Sequence, residues 1–154
     1  MDRQLTELYA HRATTHYNRG YYERAIDDFS KAIERQPTNA NLHYGRGAAY
    51  HKTGDYDSSI LDCGQAITLK PNFAEAYYAR ANAYYAIDDY HRAIADYTKA
   101  IALRPDYVEA YLWRAYSYII TGNYAKAIAD RIKATKLNPN ITASHSTHSE
   151  RRSR

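Results

Sequence analysis

Apolar residues recur along the chain at helical spacing, in stretches broken at regular intervals. Within 74–107, Tyr77, Ala81 and Tyr84 fall at i, i+4 and i+7, one face of a helix. After Asp88-Asp89 the pattern resumes through Tyr90, Ala93, Ile94, Tyr97, Ala100, Ile101 and Leu103. The same arrangement recurs 34 residues on, 34 back and 68 back, and Pro37, Pro71, Pro105 and Pro139 mark the register. A fixed period of this length is the signature of a stacked repeat architecture. Four units follow, at 6–39, 40–73, 74–107 and 108–141, each predicted to be a pair of amphipathic helices.

The breaks fix the helix ends. Gly20, Gly54, Asp88 and Gly122 share one register between the two helices of a unit. Glycine closes a helix there because it accepts positive φ without a Cβ penalty, and Asp88 is a departure that either takes another turn or tolerates the left-handed conformation. Each proline closes the second helix, lacking an N–H and disfavouring helix in the residue before it. Helices are predicted at 4–19, 22–35, 40–53, 56–69, 74–87, 90–103, 108–121 and 124–137, with residues 1–5 extending the first. Small residues hold constant positions, Ala13, Gly47, Ala81 and Ala115 in the first helices, and Ala25, Ser59, Ala93 and Ala127 in the second. Such positions let helix axes approach while large neighbours fill the flanks.

These residues resemble the tetratricopeptide repeat family, whose 34-residue pattern runs W-x2-L-G-x2-Y…A-x3-F…P. Tyr9, His43, Tyr77 and Tyr111 stand at the Trp position, and His16, Tyr50, Tyr84 and Tyr118 at the Tyr position. Phe29, Cys63, Tyr97 and Arg131 stand for the Phe. The pattern's Leu is Arg in all four units, as Arg12, Arg46, Arg80 and Arg114. The resemblance implies an all-α fold, an α-solenoid of four helix–turn–helix repeats forming part of a right-handed superhelix, with the first helices lining a concave groove. It covers 1–141 as one repeat domain, leaving 142–154 as a polar tail expected to be disordered.

Each unit also has an Asp in its second helix, Asp28, Asp62, Asp96 and Asp130. Four arginines and four aspartates in register predict ion pairs between helices, within a unit or between neighbours, because a buried Arg needs a carboxylate. In the fourth unit Arg131 and Thr135 replace residues that are mostly apolar in the other units, so the array is expected to stop and cap itself there.

Composition narrows the chemistry. Net charge is +4, and Arg151, Arg152 and Arg154 less Glu150 supply +2 of it, so the repeats are nearly neutral and nucleic acid is disfavoured as a partner. The polar start MDRQLTELYAHR has no apolar segment of the kind a secretory signal needs, and no stretch approaches a membrane span. A single cysteine, Cys63, suits a reducing compartment, and a cytoplasmic setting is expected. Gly45-Arg46-Gly47 lies inside a helix and forms no phosphate loop. His145 and His148 are poor evidence of a metal, the sequon Asn140-Ile141-Thr142 has meaning only in a secreted chain, and no carboxylates converge on a cleft. Neither an enzyme nor a cofactor is expected.

The tyrosines are the informative residues. Of 18, eleven occupy repeating packing positions and Tyr21 and Tyr107 lie near turns. Tyr17, Tyr44, Tyr78, Tyr85 and Tyr116 remain, on first helices and off the packing face. By the resemblance they point into the groove with Asn18, His51, Lys52, Asn82, Leu112 and Trp113, and also His11. Aromatic side chains with few rotatable bonds are good anchors for a partner. Glu7, Glu75 and Glu109 are expected to give one rim an acidic edge. Some members of the family clamp acidic chaperone C-termini with Lys and Asn, but the matching positions here hold Ala10, Thr14, Gly45, Glu75 and Ala79, so that ligand is disfavoured. The expected function is a non-enzymatic interaction module that binds a peptide segment or partner helix. The alternatives are a self-associating scaffold, in which the groove or last helix receives another copy, and, less favoured, a single-stranded RNA binder.

Overall fold

The computed structural model describes residues 2–143. Eight α-helices follow in order: α1 Asp2–Asn18, α2 Tyr22–Arg35, α3 Ala40–Thr53, α4 Tyr56–Leu69, α5 Ala74–Ala86, α6 Tyr90–Leu103, α7 Val108–Ile120 and α8 Tyr124–Leu137. A 3-10 turn, Pro139–Ala143, follows α8. Each helix packs on its neighbours in sequence, so the architecture is an all-α solenoid of four helix pairs. His145, His148 and the tail arginines lie outside the described residues.

The turn within each unit is the same four times. Gly20, Gly54 and Gly122 have φ of 81°, 82° and 80°, and Asp88 takes the same left-handed conformation at 63°. The next residue's N–H then reaches back five positions, as in Tyr21 to the His16 carbonyl at 2.9 Å and Asp89 to the Tyr84 carbonyl at 2.9 Å. Asp88 thus obeys the rule of its register, and its carboxylate accepts a hydrogen bond from the Tyr90 hydroxyl at 2.5 Å. Asp55 and Asp89 cap α4 and α6, accepting from the backbone N–H of Ser58 and Arg92 at 3.1 Å each.

The Arg–Asp ladder closes within units. Arg46 donates from Nε to Asp62 Oδ2 at 2.6 Å and from Nη2 to Oδ1 at 2.8 Å. Arg12–Asp28, Arg80–Asp96 and Arg114–Asp130 repeat this two-point geometry. Arg80 lies between Tyr77 and Tyr84, at 5.8 and 5.9 Å from the ring centres, and Arg114 lies likewise between Tyr111 and Tyr118. Cation–π contact therefore accounts for tyrosines on both sides of the arginine. Two arginines also tie units together. Arg46 Nη1 donates to Ser30 Oγ, and Arg114 Nη1 to Thr98 Oγ1, both at 3.0 Å.

The core follows the small residues. Ala13, Ala25, Ala81 and Ala93 are fully buried, as are Cys63 and Tyr97. A Cβ on Gly47 would stand 2.8 Å from Cys63 Sγ, so the missing methyl makes room for the sulfur. Burial pushes the Cys63 thiol up to about 12, the behaviour of a structural cysteine. The expectation of a polar cap on the fourth unit is not met. Tyr124, Ile128 and Ile132 on α8 are 63%, 59% and 51% exposed, leaving a largely apolar face around Arg131. Arg131 and Thr135 change two positions of this face, Tyr124 and Ile128 keep the pattern of an inner unit, and Ile132 stands where the other units have Ser30, Gly64 and Thr98.

Candidate functional site

The first helices α1, α3, α5 and α7 touch one another along the stack, whereas among the described residues α2, α4, α6 and α8 do not. A stack whose first helices lie closer together curves toward them. That curvature makes α1, α3, α5 and α7 the inner face.

On this face a cavity of about 300 Å³ opens between α1 and α3. Tyr17 and Tyr44 are half-buried walls, and the exposed Thr14, Asn18 and Asn41 form the rim. Phe29 also lines the cavity, and it fits there because residue 45 is glycine: a Cβ on Gly45 would stand 2.5 Å from Phe29 Cζ. Tyr17 packs edge-on against Tyr22 at 5.4 Å, and Tyr44 tilts against Phe73 at 5.0 Å. Burial raises both hydroxyls above the ordinary tyrosine value, so they stay neutral and serve as hydrogen-bonding groups rather than bases.

Further along, Tyr85 packs edge-on against Tyr90 at 5.3 Å and Trp113 at 5.1 Å, and Trp113 meets Tyr116 at 5.6 Å. Tyr78 lies between these two sets, 4.8 Å from Tyr107 and 5.9 Å from Tyr97. The Tyr97 hydroxyl donates to Asn82 Oδ1 at 2.6 Å, so the carbonyl of Asn82 is engaged by the fold. His51 packs edge-on against Tyr56 at 5.3 Å, while Lys52 beside it is exposed. Burial, and secondarily Lys52, lowers the His51 pKa below the usual histidine value, which keeps the ring neutral at neutral pH. Leu112 is only 9% exposed, in a cluster with Tyr111 and Ala134 against which Ile141 packs, so it belongs to the core rather than to an open surface.

The inner-face residues thus fall into an α1–α3 set of Tyr17, Asn18 and Tyr44 and an α5–α7 set of Tyr85, Trp113 and Tyr116. Tyr44 and Tyr78 are not off the packing surface, as their register suggested. The residues preceding α5 and α7, Phe73 and Tyr107, reach back to them. Phe29, Thr14, Asn41, Gly45 and Ala48 also line the cavity; the sequence placed Phe29 in the repeat pattern and Thr14 and Gly45 at clamp positions, but none of the five among the partner-binding residues. The signal for the first was the pairing of Phe29 with a glycine 16 residues later, where other units have His11, Ala79 and Trp113. Ile119 and Ile120, exposed on α7, continue the registers of Tyr85 and Ala86 and could have been found the same way.

Charge on this face is modest. Arg104 pairs with Glu75 and stacks on Tyr107 at 4.4 Å, so one of the three expected rim carboxylates is neutralised. Glu7 pairs with Arg3 at 3.2 Å on the exposed surface of α1.

Two family models match the chain. One described as a TPR repeat matches residues 13–54 and 49–88, and one described as a tetratricopeptide repeat matches 78–139. Comparison with curated proteins gives no match. Among solved structures, MamA is similar with a TM-score of 0.83 at 24% identity, over 90% of this chain and 81% of that one. The first TPR of Spaghetti (RPAP3), bound to the HSP90 peptide SRMEEVD, is similar with a TM-score of 0.76 at 24% identity, over 77% and 94%. The Arabidopsis OM64 TPR domain is similar with a TM-score of 0.77 at 21% identity, over 78% and 99%. At these identities the likeness is one of fold.

Proposed function

The chain belongs to the tetratricopeptide repeat family, and from that premise we propose that it is a non-enzymatic interaction module that holds a peptide segment or partner helix along its inner face. The observation behind this reading is the cavity between α1 and α3, with Phe29 among its lining residues and Tyr17 and Tyr44 at its sides. Such a cavity suits one apolar or aromatic side chain of a bound segment, and the phenol hydroxyls and the rim amides of Asn18 and Asn41 suit its backbone. Tyr85, Trp113 and Tyr116 offer a second anchor region further along the same face. Ala10, Thr14, Gly45, Glu75 and Ala79 supply no cation, so the preferred segment is apolar rather than an acidic C-terminus. A reducing, cytoplasmic setting and the assignment of 1–141 as the repeat domain are part of this proposal.

The test fills the cavity instead of dismantling it, since Tyr44 also holds Phe73. Peptides selected from a random library against the protein should be enriched in an apolar or aromatic anchor. Thr14→Trp, at an exposed rim position, should weaken the best of them by about tenfold or more, roughly 1.4 kcal/mol. Unchanged affinity, or selection of acidic C-termini alone, would overturn the reading.

A further inference from the structure

Inside the solenoid, each second helix receives the first helix of the next unit. At the α2–α3 junction this buries Phe29 and Leu42 to 6% and 4% exposure, half-buries Ile26, and places Arg46 on Ser30. Both ends of the described chain carry one half of such a junction. On α8, Tyr124 and Ile128 hold the positions of Tyr22 and Ile26, which are half-buried, yet are 63% and 59% exposed. On α1, Leu8 is 65% exposed, while Leu42, Ala76 and Ala110 in the same register are 4%, 0% and 0% exposed. The Arg12 side chain is 56% exposed, against 21%, 23% and 15% for Arg46, Arg80 and Arg114.

We propose that these half-junctions complete each other between copies, α1 of one copy packing on α8 of another and joining them head to tail. The occupant follows from the register. The α8 face accepts a first helix, and α1 is a first helix whose matching face is uncovered. Charge agrees with this. In the inner junction Phe29, Asn41 and Gly45 share one cavity, so these positions are neighbours. At a junction between copies the same places hold Arg131, Glu7 and His11. Arg131, out of pattern for a packed interior, then faces the carboxylate of Glu7, which is exposed. A contact of this heterologous kind does not close on itself and extends into chains of copies. It uses the ends of the solenoid and is independent of the reading of the inner face.

The experiment is sedimentation velocity of the full chain over a roughly hundredfold concentration range, where mass action must show in the average mass. The wild type should grow with concentration beyond a dimer. Leu8→Glu and Ile128→Glu alter exposed positions, so both should keep wild-type helicity and thermal unfolding. The Leu8→Glu chain keeps only its α8 face and Ile128→Glu only its α1 face, so each alone should stay monomeric and an equimolar mixture should form dimers. Glu7→Arg or Arg131→Glu alone should weaken association about tenfold, and the two together in one chain should restore it. A wild type that is monomeric throughout overturns the proposal. So does a wild type that associates while the mixture remains monomeric, because another surface then joins the copies.

Discussion

Arg80 Nη1 lies 3.6 Å from where a Cβ on Gly64 would stand. Residue 64 holds the register of Ser30 and Thr98, whose hydroxyls accept from Arg46 and Arg114, so the central junction lacks a tie its two neighbours have. Gly64→Ser should supply it and also raise helix propensity in α4. Stability should rise by about 1 kcal/mol in thermal or urea unfolding. Gly64→Ala should give only the propensity share, and an Ala variant as stable as the Ser variant would show that the hydroxyl finds no partner.

Arg80 and Asp96 should behave as one group. Arg80→Leu leaves a nearly buried carboxylate without its two donors and should cost about 3 kcal/mol of stability. Changing both residues to leucine should recover most of that loss. A single variant that weakens peptide binding at unchanged stability would instead assign Arg80 to ligand recognition.

Three carboxylates should carry part of the acid sensitivity of the fold. Hydrogen bonding from Arg12 lowers the Asp28 pKa, the Ser58 side chain and backbone lower Asp55, and the Arg92 backbone and side chain lower Asp89, all from an ordinary value of 3.8. A depressed folded-state value means the unfolded chain takes up the proton first. Their contribution is therefore complete above about pH 5 and is lost as pH falls through and below 3.8. Asp89→Asn keeps a capping acceptor but removes the titration, so the drop in melting temperature between pH 7 and pH 3 should shrink.

Cys63 should report unfolding. With no exposure and its thiol pushed up to about 12, it should resist alkylation at pH 8 in the folded protein. Labelling should then follow the denaturant transition, and rapid labelling of the native chain would contradict the packing of Cys63 beside Gly47.

Much of this was legible because the repeat prints its own alignment. Proline, glycine and alanine registers placed all eight helices, seven of them within one residue at both ends or better, and two tandem families of charge announced a ladder. Periodicity names the register of a side chain but not the neighbour that meets it. It left open whether Arg46 would find Asp62, in its own unit, or another aspartate. It also gave no sign that Phe73 and Tyr107 would reach back onto Tyr44 and Tyr78. The exposed Ile128 was overlooked for a related reason. Its counterparts Ile26, Ile60 and Ile94 are half-buried in inner units because a further helix lies on them, and a residue-by-residue comparison of repeats does not register a missing neighbour. The turn at Pro139–Ala143 carries no repeat signal at its far end.

The closing of every Arg–Asp pair inside its own unit has a mechanical consequence. Among the described residues no strong polar tie runs from one end of the solenoid to the other, and helices meet only near neighbours. Pulled from its ends, the chain should yield as a series of short, similar extensions rather than one abrupt rupture, each releasing about the length of one 34-residue unit.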